Sequence, residues 1–527
     1  MLHRGSKLVT NLAPKYKFDQ GYTNEIKNII RETISSPRVI PIVIGGKQET
    51  TNIINKQMSA LDKTKIICEY TQTSNKLLGE YKQNFQNYKT SLRSLSHKDI
   101  NNIFVKAADL IKTKYREQII AYTILGQGKS LYEADIDAAC ELADFWNFNA
   151  HFANHIVSKQ PISTKGIKNT SKYNPLNGFV AAITPFNFTA IGGNLASAPV
   201  LFRNSVIWKP ADNAILSNYL VYEILVEAGM PKEAIAFTPC DPEIFSKHIL
   251  TSQDLGGVLF TGSTTVFDKM LSNIYSNIVN YNSYPRIVGE TGGKNWHFLH
   301  KDLSYSDLWI VAEKTIESAF GYSGQKCSAC SIVYIPDIHY SKFIDILKSK
   351  IDNFMEMDSF QNYGLINNPS YSRIQKLMNT FKTEENYTIL KGGEMNLKYN
   401  YFCEPTVVTC QDHSDQIFND EFFAPILAVY KYSEKDLDKT MHLCKDSNNY
   451  ALTGSVFSNN KKFIRESTEF FKEKCGNFYI NDKSTGSVVG QQPFGGSGCS
   501  GTNDKAGDIN LLYRLFNQQT IKANKNF

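Results

Sequence analysis

The stretch Gly321-Tyr322-Ser323-Gly324-Gln325-Lys326-Cys327-Ser328-Ala329-Cys330 carries two cysteines with two residues between them. Three chemistries use that spacing. A dithiol exchanges electrons, usually from a helix start in a small thioredoxin-like unit. A structural zinc ion needs four ligands, so a second pair at matching spacing is required. Cys403 and Cys410 have six residues between them, and no Cys/His cluster accompanies them. The third chemistry is one thiolate nucleophile with a bystander beside it. Gly324 and Gln325 lead into Cys327 and Ser328 follows it, whereas Cys330 reads as a packing residue. On spacing alone the dithiol and the lone nucleophile both stand.

Two stretches have the residue types for holding a phosphorylated cofactor. Gly496-Ser497-Gly498-Cys499-Ser500-Gly501 fits G-x-G-x-x-G, a pattern that has meaning only between a strand and a helix. It follows Gln491-Gln492-Pro493-Phe494 and runs into Thr502-Asn503-Asp504, so it is rejected as a dinucleotide fingerprint. Phe260-Thr261-Gly262-Ser263-Thr264-Thr265 directly follows an apolar run, and a strand ending in glycine and hydroxyl residues at a helix start offers free N–H donors to an anion.

These residues need a scaffold. Tyr173 to Phe202 contains no charged residue before Arg203 and is long enough to span a bilayer. Pro185, Gly192, Gly193 and Pro199 break it, and it holds Asn187 and Asn194. A buried strand, a tight turn and a small-residue helix are expected instead. A second buried strand follows at Ser205–Trp208, then a helix that stops at Gly229-Met230-Pro231, and two further apolar runs before Gly262. Strands alternating with helices imply a parallel sheet covered on both faces. The second half repeats this alternation. Leu308 to Phe320 is helical, Ser331–Pro336 a strand and Tyr340–Phe354 an amphipathic helix, with later strands around Leu427, Ser455 and Tyr479. The expected fold class is α/β, with a Rossmann-like domain at 1–161 and 179–299 and a second α/β domain at 300–497. The turn-rich segment 162–178 and the C-terminal 498–527 are expected to supply strands outside both.

The net charge of +6 comes from 57 basic against 51 acidic residues, without a long basic run, which makes nucleic acid a poor partner. The ten cysteines are scattered, as in a reducing compartment. The first 20 residues carry His3, Arg4, Lys7, Lys15 and Lys17 before their first acid, Asp19. That is the charge balance of a mitochondrial presequence, though short and not arginine-rich, and an ordinary N-terminus fits it equally.

Phe320-Gly321-Tyr322-Ser323-Gly324-Gln325-Lys326-Cys327 resembles the F-x-x-x-G-Q-x-C nucleophile signature of the aldehyde dehydrogenases. Glu290-Thr291-Gly292-Gly293-Lys294 is similar to their E-x-G-G-K motif, Pro185-Phe186-Asn187 to P-[WF]-N, and Trp208-Lys209-Pro210 to W-K-P. Phe260 to Ser263 resembles F-T-G-S, Glu421 to Pro425 E-x-F-G-P, and Pro493 to Gly496 P-F-G-G. The resemblance runs from about Ile40 to near the C-terminus. It is nearest to the mitochondrial branch that oxidises glutamate semialdehyde, particularly in Gly476 to Gly496.

The resemblance implies roles. Cys327 would be the nucleophile, Asn187 and the Cys327 N–H the oxyanion donors, and Glu290 the base for hydrolysis. The implied cofactor is NAD. Gly262 and Ser263 would start the helix facing its pyrophosphate, with Thr264, Thr265 and Val266 in the first turn; Thr184 would touch it by its backbone, and Lys209 and Glu421 would meet its two riboses, with Phe423 packing nearby. Asp212 would repel a 2′-phosphate and so favour NAD over NADP. Ser328, Gly486 and Ser487 would hold the substrate carboxylate, Phe188 and Phe494 would sandwich its chain, and Glu141 would face its ammonium. No metal is implied. The partners expected are a small-molecule substrate and a second copy of the chain in a homodimer, without membrane insertion; the expected location is the mitochondrial matrix. Two departures stand out: Ala424 replaces the glycine of E-x-F-G-P, and Val266-Phe267 lacks a glycine common there.

Overall fold

The computed structural model describes residues 9–15, 18–356, 364–398 and 400–526. His3, Arg4, Lys7 and Lys17, which carry the presequence reading, lie outside the described residues.

Two seven-stranded sheets organise the chain. The first runs Arg286–Glu290, Leu255–Thr261, Phe179–Ile183, Val206–Lys209, Ile235–Phe237, Ile42–Ile44, Lys47–Glu49. Its first five strands are parallel and the last two are antiparallel additions. Leu255–Thr261 and Ile235–Phe237 are buried at every position, which is why they read as unbroken apolar runs. From Phe179–Ile183 the chain winds outward to Val206–Lys209 and later returns to the other side at Leu255–Thr261. The carboxyl ends of those two strands therefore form the crevice where such sheets bind ligands. The helix Ile215–Ala228 ends at Gly229, whose φ of 115° only glycine adopts without strain.

The second sheet runs Thr388–Lys391, Thr406–Thr409, Ile426–Tyr432, Cys330–Pro336, Asn295–Leu299, Thr453–Phe457, Asn477–Ile480. All its pairings are parallel except the first. Buried clusters cover both of its faces, one around Trp296, Phe298 and Tyr334, the other around Leu299, Phe320 and Ile335. Only Thr291–Lys294 separates the last strand of the first sheet from Asn295–Leu299. The C-terminal edge of one sheet thus meets the N-terminal edge of the other.

The uncharged run resolves into the strand Phe179–Ile183, the helix Thr189–Ser197 and the 3-10 turn Ala198–Phe202. Among the described residues no helix is long and apolar enough to cross a membrane. Ile167–Asn174 pairs antiparallel with Asn517–Asn524 in a two-stranded ribbon. Residues 498–512 do not join that ribbon, contrary to the expected span of 498–527. Gly498 and Gly501 pair with Tyr450 and Glu290, and Ile509–Leu512 is a short helix against Leu142–Ser158. The strands Arg38–Ile40, Ile54–Met58 and Ile66–Thr71 form a three-stranded sheet of their own.

Candidate active site

Cys327 sits where the helix Tyr305–Phe320 gives way to the strand Cys330–Pro336. The link is a run of left-handed residues, Tyr322 and Ser323 at φ 53° and Gly324 at φ 66°. A side chain on Gly324 would collide with the carbonyl of Ala424, so glycine is needed there. The Tyr322 hydroxyl anchors the turn on the carbonyl of Gln127 at 2.8 Å. Two non-glycine residues at positive φ store strain beside the thiol. Asn295 holds the next segment, its amide donating to the carbonyls of Cys327 at 2.7 Å and Ala329 at 2.9 Å. Nothing in the sequence marked Asn295, a polar residue at the start of a buried strand.

Glu290 ends an edge strand, and the Cys327 thiol donates to its Oε1 at 3.4 Å. Burial pushes the Glu290 carboxyl up to about 7. The same burial, then the negative charges of Glu290 and Glu421, hold the Cys327 thiol well above its usual range, while the Ser328 N–H works the other way. The rejected glycine stretch clamps the backbone on both sides of Glu290. Thr502 N–H donates to Gly289 O at 2.9 Å, Thr291 N–H to Ser500 O at 3.1 Å, and a side chain on Gly501 would strike Gly289 O.

The Asn187 amide donates to Gln325 O at 3.0 Å, two residues before Cys327. An amide has two N–H bonds, so a second donor remains for a reacting oxygen. The Cys327 backbone N–H has no acceptor among the described residues. Asn187 is held in turn by the helix Thr189–Ser197, whose first N–H groups, Thr189 and Ala190, donate to Asp137 at 3.0 and 2.9 Å. Asp137 is itself paired with Lys129 at 2.7 Å, both side chains 1% exposed. The Lys129 ammonium lies 3.7 Å from the centroid of the Phe188 ring. Glu141 closes a π-helical stretch, Asp135–Glu141; burial first, then Asp137 and Glu290, push its carboxyl up to about 8. Sequence reasoning missed the Lys129–Asp137 pair.

Most of the residues expected to meet the cofactor lie at the carboxyl ends of strands of the first sheet. Thr184 follows Phe179–Ile183; its N–H donates to Lys209 O at 3.2 Å and its hydroxyl accepts from Trp208 at 2.9 Å. Lys209 ends the next strand, its ammonium lowered by burial against the pull of Asp212 and Asp241. Asp212 is exposed, at the start of a 3-10 turn. Gly262 follows Leu255–Thr261; its N–H donates to Glu290 O at 3.2 Å, and a Cβ there would come within 2.6 Å of the Phe260 ring. Ser263 caps the helix Thr264–Ser276, the Thr264 hydroxyl donates to Cys499 O at 3.1 Å, and Thr265 and Val266 are exposed. Glu421 Oε1 accepts the Gly293 N–H at 2.8 Å, and burial pushes its carboxyl up to about 7.

Both departures have a physical account. The bend at E-x-F-G-P puts its positive φ of 53° on Phe423, not on Ala424, whose methyl joins the buried cluster of the second sheet. The Phe423 ring meets Phe186 edge-on at 6.0 Å. Phe267 fills the space left by Gly289 and stacks on Phe260 at 5.4 Å.

Around the thiol, Ser328 is buried and its carbonyl accepts from the Thr453 hydroxyl at 3.4 Å and the Ser484 hydroxyl at 3.5 Å, which brings the Ser484–Ser487 loop against it. Gly486 turns that loop at φ 83°. Phe494 pairs its backbone with Ala506, and among the described residues no ring contact joins it to Phe188. All ten cysteines are free thiols, and Cys330 donates to Ile332 O at 3.3 Å from a buried position. Among the described residues no group of three His, Cys, Asp or Glu side chains is placed to hold a metal ion.

A thiol on a buried carboxylate, an amide with a spare N–H held beside it and a switch-point crevice in the adjoining sheet suit the class of enzyme that oxidises a carbonyl through a covalent sulfur adduct. The aldehyde dehydrogenase family model matches residues 47–521, and the chain belongs to the aldehyde dehydrogenase family. It is 40% identical over 522 residues to the mitochondrial delta-1-pyrroline-5-carboxylate dehydrogenase of Dictyostelium discoideum, covering 97% of this chain and 93% of that protein. It is 38% identical over 527 residues to the human mitochondrial protein of the same name, with 99% and 93% covered. Its fold matches the crystal structure of the delta-pyrroline-5-carboxylate dehydrogenase from Mycobacterium tuberculosis bound with NAD, at TM-score 0.92 and 34% identity, covering 99% of this chain and 97% of that one.

Proposed function

We propose that this chain is a NAD-dependent dehydrogenase that oxidises L-glutamate 5-semialdehyde, in equilibrium with delta-1-pyrroline-5-carboxylate, to L-glutamate in proline catabolism. The observation that carries the chemistry is the Cys327 thiol donating to a Glu290 carboxylate whose own proton affinity sits near neutrality. The near-full-length likeness to enzymes of that name supports the substrate.

Glu290 Oε1 takes the thiol proton, and the thiolate attacks the aldehyde carbon. The second Asn187 N–H and the Cys327 N–H hold the oxygen as it gains charge; removing one such donor costs about 10²–10³ in rate. Bound NAD supplies the hydride acceptor that leaves a thioester on Cys327. Glu290 passes the thiol proton to solvent, then takes a proton from water as the hydroxide attacks the thioester, and returns that proton to the departing Cys327 sulfur as glutamate leaves. A base with pKa near the working pH suits both transfers.

The residues fit NAD. The crevice between Thr184 and Gly262 is the switch point of the sheet, the Ser263-capped helix aims its free N–H groups outward, and Val266, 51% exposed beside them, offers apolar surface for a base ring. Lys209, Glu421 and Phe423 would complete the site, with Asp212 set against a 2′-phosphate. Ser328 with the Gly486–Ser487 loop would bind the substrate carboxylate, Glu141 its ammonium, and Phe188 and Phe494 its chain.

We assign 1–161 and 179–299 to cofactor binding and 300–497 to catalysis, a division supported by the two separate sheets. A homodimer is supported by the ribbon Ile167–Asn174/Asn517–Asn524, whose two strands leave edges for another chain. The names of the relatives support a mitochondrial location.

The test is NADH formation from NAD with pyrroline-5-carboxylate and, in parallel, with propanal. The reading requires a strong preference for the amino-acid aldehyde. Equal or better turnover of propanal would leave the sulfur chemistry standing and refute the substrate pocket.

A further inference from the structure

At the opposite edge of the first sheet, where Phe179–Ile183 and Leu255–Thr261 begin, lies a cavity of about 690 Å³. At about 3.3 Å per residue those strands separate it from the cofactor crevice by roughly 15–20 Å. Lys89, Arg93 and Arg203 line it together with a single carboxylate, Asp254.

The cations are poorly compensated. Lys89 is 1% exposed and its ammonium donates to one neutral acceptor, Leu176 O, at 3.1 Å. Among the described residues none of the three forms an ion pair. Arg203, held at φ 64°, donates to Tyr173 O at 3.0 Å and meets the His97 ring nitrogen at 2.7 Å, while its Nε is buried without an acceptor. Burial, then the neighbouring Arg203, lowers His97 to about 4, so the imidazole adds no charge. Asp254 already accepts from the Asn282 amide at 3.0 Å. A buried ammonium whose partners are one carbonyl and the Phe85 ring at 5.3 Å, and an unpaired guanidinium N–H, are costly unless an anion completes them.

We propose that this cavity binds a small phosphorylated metabolite, held by its phosphate dianion between Lys89, Arg93 and Arg203. Three cations facing one carboxylate leave an excess of two positive charges, matching a phosphate monoester near neutral pH. The guanidiniums suit the oxygens of a phosphate, and Asn177 and Gln86 at the rim add neutral donors. The volume falls in the range of small-molecule sites and exceeds that of the bare ion. The cavity includes Asn174 to Gly178, the link from the ribbon to the first parallel strand, so the ligand touches the root of the ribbon.

The test is calorimetric titration of the full-length protein, saturated with NAD to occupy the cofactor crevice, with glycerol phosphate, inorganic phosphate and succinate. Glycerol phosphate is expected to bind more tightly than inorganic phosphate and succinate. Its affinity should fall at least about 10-fold in Arg93→Gln, an exposed position, and in Lys89→Met. Inorganic phosphate binding as tightly as the ester would overturn the metabolite. Equal binding of succinate would overturn the phosphate class, and absence of binding or unchanged affinity in Arg93→Gln would overturn the site. NADH formation does not enter this readout, so it stands or falls apart from the dehydrogenase assignment.

Discussion

The Cys327 thiol and the Glu290 carboxylate share one hydrogen bond of 3.4 Å, and each alters the other's affinity for protons. The ionised carboxylate holds the thiol protonated, and the thiol, by donating, lowers a carboxyl that burial has raised to about 7. The thiol therefore keeps its proton at rest and becomes a thiolate when that proton passes to the neighbour.

Glu290→Gln removes the negative charge that raises Cys327. Alkylation of Cys327 by iodoacetamide should then begin at lower pH than in the unsubstituted protein, while aldehyde turnover falls about 10²–10⁴-fold for want of the hydrolytic base. The pH dependence of alkylation, followed by peptide mass spectrometry, checks the first part. A limb that stays in place or moves to higher pH would contradict the coupling.

Glu141 carries a stability signature besides the substrate role proposed for it. Its carboxyl titrates near 8 in the fold against a usual 4.5, so the folded state keeps this proton longer than the unfolded chain. That contribution is complete below about 4.5 and is lost as pH rises through about 8. Glu141→Gln should raise Tm by about 2 °C or more near pH 9 and by less near pH 6. The same substitution should raise KM for the amino-acid aldehyde about 10-fold and leave propanal unaffected.

Asp137 touches no reacting atom and acts through Asn187 and Phe188. Asp137→Asn strands the buried Lys129 charge, at about 3–5 kcal/mol in stability. It also loosens the start of Thr189–Ser197, and a displacement of about 1 Å at Asn187 is worth roughly 10² in rate. The expected pattern is a lower kcat with unchanged NAD affinity, and Lys129→Met/Asp137→Asn should recover Tm but not kcat. Recovery of both would reduce the pair to a structural role.

Cys330→Ser should retain most activity, since this thiol donates to its own strand at Ile332 O and faces no carboxylate of the site. Loss comparable to that of Cys327→Ser would restore the dithiol reading.

The parallel strands were legible because residues buried on both faces, as in Leu255–Thr261, leave an unbroken apolar run. Local motifs singled out Cys327, Glu290 and Asn187, and the fold brings these three together. Contacts between distant segments were not. Gly501 clamps Gly289 from more than two hundred residues away, and its G-x-G-x-x-G setting pointed to no base. Lys129 and Asp137 look like solvated helix charges until the fold buries them together. Ala424 stood out as a departure because the sequence does not say which residue of a bend takes the positive φ; Phe423 takes it.

The most direct test of the account is a rapid-mixing measurement of NADH formed from NAD and pyrroline-5-carboxylate by Glu290→Gln, beside Cys327→Ala. With the hydrolytic base gone and Cys327 able to lose its proton to solvent once the Glu290 charge is removed, a burst of about one NADH per subunit should precede slow turnover as the thioester accumulates. Cys327→Ala should give no burst. A burst that survives in Cys327→Ala, or steady undiminished turnover in Glu290→Gln, would contradict the roles assigned to both residues.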